Sequence, residues 1–353
     1  MLLSAGLLMF MGKSVVQAQQ IEYPLLYTHS LEQNESKSTW AFAFDNDILV
    51  PGSRDQDYTY GMNITYSGSQ AGKHWASLHN SLDWLNSKLD IDGLAQPGVS
   101  SYKIEYGLFG FTPEDISIAT TNQDDRPYAS LVYVSSTRES YQPLKNVSWQ
   151  STLTLGIMGL DIVGDLQNEV HSMFDGDQAR GWDNQISNGG ELTARYSLSR
   201  QSLIYKSGQG TEIKNTLQGS VGYITEASWS MSLRSGKILS PWVSFNPELT
   251  SYGEKSIPNT ISRVSEHYFW TGVSVKYRAY NAFLEGQFKD SALTYDDNEI
   301  NRGIAEAWLG YTAALSNGYS FTYSIRGHTS EINRGIGDRS VIWGGILISR
   351  TIS

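Results

Sequence analysis

The sequence contains no cysteine among its 353 residues, which excludes disulfides, thiolate catalysis and cysteine-based zinc sites together. It also lacks the run of about 18 apolar residues that a membrane-spanning helix needs. Charged residues make up only 18% of the chain, and the net charge is −10. Nucleic acid is not expected as a partner, because binding to phosphates requires a basic surface.

What the sequence has in plenty is aromatic residues and glycine: 21 Tyr, 10 Trp and 33 Gly. Its first residues suggest export. Residues 1–11 form a short apolar core, and Val16 and Ala18 suit a cleavage site before Gln19. We therefore predict a signal peptide at 1–18, an N-terminal periplasmic segment at 19–37 and a single domain at 38–353. A buried N-terminal helix is the alternative interpretation of the first segment.

Beyond residue 38 the dominant hydrophobic period is two. In "TGVSVKYRAY" (271–280) apolar and polar residues alternate strictly, and the same holds in "YSFTYSIR", "ELTARYSLSR" and "VSWQSTLTLGI". Such strands have one apolar and one polar face. A secreted sandwich would bury the apolar face, whereas an outer-membrane barrel turns it to lipid. The segments' length, their terminal Tyr and Trp residues and the charges on their polar faces favour the barrel.

The fold predicted is therefore all-β: a transmembrane antiparallel barrel of about 12 strands with a short helix in an extracellular loop. The candidate strands are 38–50, 57–68, 101–111, 128–141, 146–159, 190–205, 211–224, 228–239, 267–286, 303–315, 319–331 and 340–352. An even count places both termini in the periplasm, so the loops after odd-numbered strands are extracellular. The predicted location is the outer membrane of a Gram-negative bacterium.

One segment departs from the strand pattern. Trp75, Leu78, Leu82, Leu85 and Leu89 recur at helical spacing between polar residues. The strand count places this segment in the periplasmic connection after strand 2. We interpret it as a helix that either caps the barrel or lies at the membrane interface, and expect no functional role for it.

Four polar clusters are predicted at the extracellular rim. They are Asn46–Asp47, Asp57–Thr59, Gln123–Ala129 and Gly164–Gln185. Separate segments that converge on one edge make a functional site more plausible than any one segment alone.

The last cluster contains a predicted amphipathic helix. Asp165 is expected to cap it, and an apolar face is expected to follow from Leu166, Val170, Met173 and Phe174. Gln167 and His171 are four residues apart and project side by side from an adjacent face. This arrangement is expected to present His171 toward the carboxylates of strands 1 and 2.

These residues, in their order, resemble the outer-membrane lipid A 3′-O-deacylase (LpxR) family. The resemblance is carried by "FDNDIL", "DQDYTYG", "FTPEDI", "QDDRPYA", the Gln167–His171 pair and "GWDNQ", and it spans about residues 38–345. It implies a twelve-stranded barrel and a calcium-dependent esterase that removes the 3′-linked acyl or acyloxyacyl group of lipid A. The implied partners are lipopolysaccharide and other outer-membrane lipids, and a monomer is expected.

The resemblance also implies catalytic positions: Asn46 and Asp47 on strand 1, Thr59 on strand 2, and Gln167 and His171 in the loop. No G-x-S-x-G elbow occurs in the sequence, so a serine acyl-enzyme has weak support. His171 is the economical general base for an attacking water, because its pKa lies near the working range. Gln167 would orient that water or the imidazole.

A calcium ion at the rim would take oxygen ligands and stabilise the oxyanion. Asp47 is the best candidate ligand, with Asn46 and Thr59 in support. We expect Asp45, Asp55 and Asp57 to be solvated rim charges. An EF-hand is excluded, because its pattern is not continued beyond Asp47.

Three alternatives stay open. Arg126 either contacts a lipid A phosphate or forms a salt bridge to Asp124 or Asp125. The protein as a whole could instead be an outer-membrane phospholipase, for which Ser172 is the serine nearest to His171. A passive pore or adhesin is the non-enzymatic alternative.

Overall fold

The structure, a computed structural model, describes residues 38–51, 57–68, 70–95, 99–173, 177–208, 210–249 and 265–352. Within these ranges twelve antiparallel strands close into a barrel in sequence order. The predicted signal peptide (1–18) and periplasmic segment (19–37) lie outside the described residues. The predicted fold class is confirmed.

All twelve predicted strands are present. Their bounds are β1 Ser38–Asn46, β2 Asp57–Ser67, β3 Val99–Thr112, β4 Ala129–Gln142, β5 Val147–Met158, β6 Glu191–Ser207, β7 Thr211–Gly222, β8 Ile224–Lys237, β9 Glu266–Asn281, β10 Gly303–Ala314, β11 Tyr319–His328 and β12 Val341–Ile352. The α-helices are α1 His79–Lys88, α2 Asp92–Ala95, α3 Asp161–Met173 and α4 Ala282–Glu285. None of the described helices is long and apolar enough to cross a membrane.

The strand β8 begins four residues earlier than predicted. Gly222 ends β7 with φ +137°, and a Cβ there would lie 2.0 Å from the carbonyl oxygen of Ala194. Only glycine tolerates this combination, so the chain reverses within one residue and β8 starts at Ile224.

The barrel is closed by β1 and β12, which pair from Ser38↔Ile352 to Asn46↔Gly344. We call the end of the barrel at Ser38 and Ile352 the near end, and the opposite end the far end. The β1–β2, β3–β4, β5–β6, β7–β8, β9–β10 and β11–β12 connections all lie at the far end.

The two faces of each strand differ in the way that a membrane barrel requires. On β9, Val273, Val275 and Tyr277 are exposed on the outer wall. Between them, Lys276 and Arg278 point into the lumen and are 8% and 2% exposed. The apolar face therefore turns outward and the polar face encloses the lumen.

The lumen charges neutralise one another across strands. Arg278 Nη2 lies 2.8 Å from Glu226 Oε2, and Arg326 Nη1 lies 2.7 Å from Glu306 Oε1. Buried charges persist in a protein interior only when they are paired and hydrogen-bonded in this way.

The lumen is filled at both ends. At the near end, the β8–β9 connection folds back inside, where Phe245 packs against Tyr268 and Trp270 and its carbonyl accepts a hydrogen bond from Lys214 Nζ. At the far end, a buried cluster that includes Phe109 closes the interior. Among the described residues, side chains thus fill the lumen at both ends and leave no open channel, which argues against a passive pore.

Candidate functional site

The helix α3 lies against the outer wall of the barrel at its far end. Tyr60 on β2 points outward and its hydroxyl donates to the carbonyl of Val163. Phe44 of β1 and Met62 of β2, also outward-facing, pack in the same cluster as Val163 and Leu166. The side chains that hold α3 are therefore ones that would otherwise face lipid.

Close approach between α3 and the chain after it depends on Gly164. A Cβ at Gly164 would lie 2.5 Å from Cγ of Trp182, so no larger residue fits without a shift. The Trp182 indole in turn meets the ring of Tyr128, with 4.9 Å between centroids. Trp182 is thus the centre of the joint that fixes α3.

The predicted bounds and face of α3 were wrong. The helix starts at Asp161, not at Asp165. Val163, Gly164 and Gln167 form its buried face, whereas Val170 and Met173 are 40% and 67% exposed, and Phe174 lies outside the described residues. The apolar stripe misled because, beside a membrane, an apolar face is as well suited to lipid as to the protein wall.

Gln167 is held by one of its two amide atoms. Trp182 Nε1 donates to Gln167 Oε1 at 2.8 Å, and the residue is 2% exposed. Because an indole N–H only donates, this bond fixes which amide atom is the oxygen. Among the described residues Gln167 Nε2 has no hydrogen-bond partner, so the donor is oriented and available.

His171 lies one turn after Gln167 and is half-buried. Its Nδ1 is within hydrogen-bond distance of the Asp177 carbonyl oxygen, which can only accept. In the neutral ring Nδ1 therefore carries the proton, and Nε2 is the unprotonated nitrogen. This is the tautomer that a general base requires.

The residues that hold the loop around His171 were not predicted from the sequence. The Asn168 amide accepts from the backbone N–H of Ala179 at 2.7 Å and donates to its carbonyl at 3.0 Å. Gln185, the last residue of "GWDNQ", accepts from Ser130 Oγ and donates to Asp161 at the start of α3. The "GWDNQ" motif thus holds α3 in place. Its Trp182 and Gln185 were the sequence signal from which these contacts could have been predicted.

The end of β1 reaches the same region. Asn46 caps a 3₁₀ turn at Asp47–Leu49, accepting from the backbone N–H of Ile48 at 2.7 Å. Asp47 is 1% exposed. Phe44, two residues before Asn46, packs in the same apolar cluster as Val163 and Leu166, which places the end of β1 on the side of the barrel where α3 lies.

Thr59 lies on β2 between Tyr58 and Tyr60, where the register with β3 shifts by one residue. Tyr60 is the residue beneath α3. The structure therefore brings the β1 end, the start of β2 and α3 to one side of the far end, as the sequence analysis expected for these three segments.

The expectation of solvated charges at Asp45 and Asp57 was wrong, since they are 4% and 3% exposed. Arg339 Nε and Nη2 donate to both oxygens of Asp57 at 2.8 and 2.9 Å. The arginine comes from the β11–β12 connection, 282 residues further along, so local sequence gives no hint of the pair. Asp55 lies outside the described residues.

Arg126 does not face solvent. It is 3% exposed, forms an ion pair with Glu331, lies 3.5 Å from Asp57 and stacks over the Phe111 ring. Arg126 would have to break its interactions with the carboxylates of Glu331 and Asp57 before it could bind a lipid phosphate. A salt bridge does hold the loop, but with Glu331 and Asp57 rather than with the adjacent aspartates that were considered.

Glu331 joins this cluster to the lumen. Burial by itself would raise the pKa of Glu331, but Arg126 and Arg278 outweigh burial and hold the pKa of this carboxyl well below its usual range. The carboxylate is charged under all ordinary conditions, and it pairs with Arg126 from the segment before β4 and with Arg278 on β9.

Comparison with known proteins agrees with this architecture. The solved structure of LpxR from Salmonella typhimurium is similar with a TM-score of 0.67 and 17% identity, covering 88% of this chain and 99% of that chain. The beta domain of the Bordetella autotransporter BrkA matches at 12% identity with a TM-score of 0.41, covering 89% and 98%. No curated protein matches the sequence. The sequence model of the family described as outer membrane protein LpxR matches residues 2–352, and the chain belongs to this family.

Proposed function

We propose that this protein is an outer-membrane lipid A 3′-O-deacylase, which hydrolyses the ester that links the 3′ acyl or acyloxyacyl group. Family membership supports a lipid A-modifying enzyme of the outer membrane. The observation that carries the chemistry is the placement of two side chains on α3, where Trp182 Nε1 holds Gln167 Oε1 and the Asp177 carbonyl lies within hydrogen-bond distance of His171 Nδ1. The far end, which carries this site, faces the cell exterior, because both termini of an even-stranded barrel lie in the periplasm.

In the proposed reaction His171 Nε2 takes a proton from a water molecule. The resulting hydroxide attacks the ester carbonyl carbon, and the bond between that carbon and the sugar oxygen breaks. The imidazolium then returns the proton to the departing sugar oxygen, which leaves a 3′ hydroxyl and a free acid. Gln167 Nε2 orients the water or the carbonyl oxygen. The position of α3 on the outer wall lets an acyl chain stay in the membrane during the reaction.

Calcium is the proposed cofactor, with Asp47 as its ligand and Asn46 and Thr59 in support. The donors at this turn are all oxygens, which suits a hard cation. Among the described residues no group of three histidine or acidic side chains is arranged to hold a metal ion, so the further ligands proposed for Asp47 are carbonyl, hydroxyl or substrate oxygens. When bound there, the ion would supply positive charge to the developing oxyanion.

The phospholipase alternative receives no support from Ser172, the serine nearest to His171 in the sequence. Ser172 follows His171 directly, but its hydroxyl donates to the carbonyl of Glu169 at 2.7 Å, within the helix itself. Water activated by His171 is therefore preferred over attack by a serine.

The test is mass spectrometry of lipid A from a host that expresses the protein, compared with His171→Ala and with Ser172→Ala as the matched control. We expect loss of the 3′ acyl or acyloxyacyl group with the unaltered protein and with Ser172→Ala. His171→Ala should leave lipid A intact, and chelation of calcium should do the same for the purified enzyme.

Unchanged lipid A from a folded, surface-located barrel supplied with calcium would overturn the proposal. Release of fatty acid from glycerophospholipid instead would favour the phospholipase.

A further inference from the structure

We propose that residues 71–89, which we call the collar, bind the glycerophospholipid headgroups of the inner leaflet. The collar comprises a 3₁₀ turn at Ala71–Lys73, the helix α1 and the chain between them. It belongs to the connection between β2 and β3 at the near end, which faces the periplasm in an even-stranded barrel. This inference rests on the barrel's place in the outer membrane and is independent of the proposed reaction.

The first observation is that α1 lies on the outer wall and does not cap the lumen. Ser136 Oγ accepts from the backbone N–H of Leu78 at 2.9 Å, and Arg138 Nη1 donates to Asp83 Oδ1 at 2.9 Å. Ser136 and Arg138 alternate with Thr137, whose hydroxyl meets that of Thr152 inside the barrel. Both wall residues therefore point outward, and the capping alternative for this helix is wrong.

The contacts continue around the barrel. Asn86 Nδ2 donates to Ser151 Oγ on β5 at 3.0 Å, and Asn86 Oδ1 accepts from the hydroxyl of Tyr196 on β6 at 2.9 Å. The helix thus crosses β4, β5 and β6, at a level where strands of a membrane barrel ordinarily meet lipid.

The wall beneath the helix is built for protein contact. The outward positions of β4 are Val132 and Val134 toward the far end, but Ser136 and Arg138 under α1. Serine and arginine facing hydrocarbon would be costly, and the collar lowers that cost because Leu78 N–H donates to Ser136 and Asp83 pairs with Arg138 Nη1. The collar therefore occupies space that lipid would fill, and its other side becomes the lipid-facing surface.

That other side has the composition of a headgroup-level surface. Trp75, Trp84 and Leu89 are 89%, 57% and 55% exposed, and Lys73 and Lys88 flank them. Tryptophan and lysine together mark the boundary between headgroups and acyl chains. The lysine charges complement the phosphates of glycerophospholipids.

The surface is continuous with the rest of the membrane belt. Trp40 on β1 is 44% exposed and its ring lies 4.7 Å from that of Tyr66, near the end of β2. The chain passes from Tyr66 into the collar within five residues. The collar thus extends an aromatic girdle that starts on the barrel itself.

The absence of cysteine allows a direct test with single labels. Asn80→Cys places an environment-sensitive fluorophore on the exposed side of α1 without removing either tryptophan. Val275→Cys on the lipid-facing wall of β9 and Asn317→Cys in the turn after β10 serve as references for acyl chains and water. Each labelled full-length barrel is folded into vesicles of phosphatidylethanolamine and phosphatidylglycerol that carry a headgroup nitroxide, and folding is checked by heat-modifiable migration.

We expect the Asn80→Cys label to shift its emission to the blue relative to Asn317→Cys and to be quenched more strongly by the headgroup nitroxide than either reference. Adding Trp75→Ala and Trp84→Ala should reverse part of the shift. Emission and quenching equal to those of Asn317→Cys would place the collar in water and overturn the proposal. Stronger quenching by a nitroxide deep in the acyl chains, as for Val275→Cys, would also overturn it, because the collar would then lie in hydrocarbon.

Discussion

The two longest helices, α1 and α3, lie against the outer wall of this barrel, one toward each end, and they are attached through different groups. The helix α3 is held through the Val163 carbonyl, the close approach of Gly164 to Trp182 and the hydrogen bond from Gln185 to Asp161. The helix α1 is held by its polar side chains, through Asp83 and Asn86.

The difference determines which side chains of each helix are not used in its attachment. On α3, Trp182 holds Gln167 by its Oε1 alone, and Gln167 Nε2 has no hydrogen-bond partner within the part of the chain that the structure describes. With its polar side chains used on the wall, α1 leaves tryptophan and lysine for the membrane. A helix on a barrel wall can thus be a site or an anchor, according to which side chains the attachment consumes.

The largest effect expected from this comparison is the difference in deacylation rate between a substitution of His171 on α3 and one of His79 on α1. His171→Gln should lower the rate of deacylation by about 10²–10⁴-fold, the usual contribution of a general base. His79→Gln, on α1, should leave the rate within a few-fold of the unaltered protein. Turnover of lipid A by purified variants in mixed micelles measures both, and a similar loss in the two variants would contradict the distinction.

Next in size is the joint beneath α3. Gly164→Leu should displace the helix, because even a Cβ meets Trp182, and overpacking of this kind costs about 1–3 kcal/mol. We expect at least a tenfold loss of activity and faster proteolysis of the loop at 161–190. Gly219→Ala is the matched control, since nothing lies within 4 Å of its Cβ. Full activity of Gly164→Leu would show that α3 need not dock.

For α1 the expected loss is in stability and not in rate. Asn86→Ala removes two hydrogen bonds and leaves Tyr196 and Ser151 without them, at a cost of about 1–3 kcal/mol. Urea unfolding in vesicles should show the loss, with Ser87→Ala as the control. A fall in specific activity of the folded Asn86→Ala protein would contradict a purely anchoring role.

A smaller effect is expected where Trp182 orients Gln167. Trp182→Phe keeps a ring against Gly164 but removes the hydrogen bond to Gln167 Oε1, worth about 0.5–1.5 kcal/mol. The turnover number should fall by a few-fold while KM changes little. If KM alone rose, Gln167 would serve binding and not the reacting atoms.

The smallest effect is a pH dependence confined to α1. Burial lowers the pKa of His79 from 6.5, and the charge of Arg138 lowers it further. The hydrogen bond to the Thr137 carbonyl and the charge of Asp83 raise the pKa but do not outweigh burial. As the pH falls, the His79 imidazole therefore takes up a proton more readily when α1 is released from the wall than when it is docked. Docking of α1 is at full strength above about pH 6.5 and weakens as the pH falls below that value. Headgroup quenching of the Asn80→Cys label should decline over that range, and His79→Gln should remove the slope.

Strand alternation was sufficient to predict the fold, because in a barrel each strand carries its own two-residue period and neighbours in sequence are neighbours in space. It was not sufficient for the lumen. Asp57 and Arg339 are joined only by closure of the barrel, so a buried ion pair looked like two surface charges. Nor does helical periodicity reveal which apolar face meets protein and which meets lipid. The helix α3 departed from expectation in the face it buries. For α1 the capping alternative was wrong, and the interfacial alternative stays a prediction.

The filled lumen has a kinetic consequence. In the part of the chain that the structure describes, Phe245 fills the lumen at one end and the Phe109 cluster fills it at the other, which leaves the perimeter as the surface on which the barrel meets other molecules. A substrate embedded in the same membrane would then arrive by lateral diffusion in two dimensions. Encounter frequency would follow the mole fraction of substrate in the leaflet, and diluting that leaflet with inert lipid would slow turnover even at a constant bulk concentration.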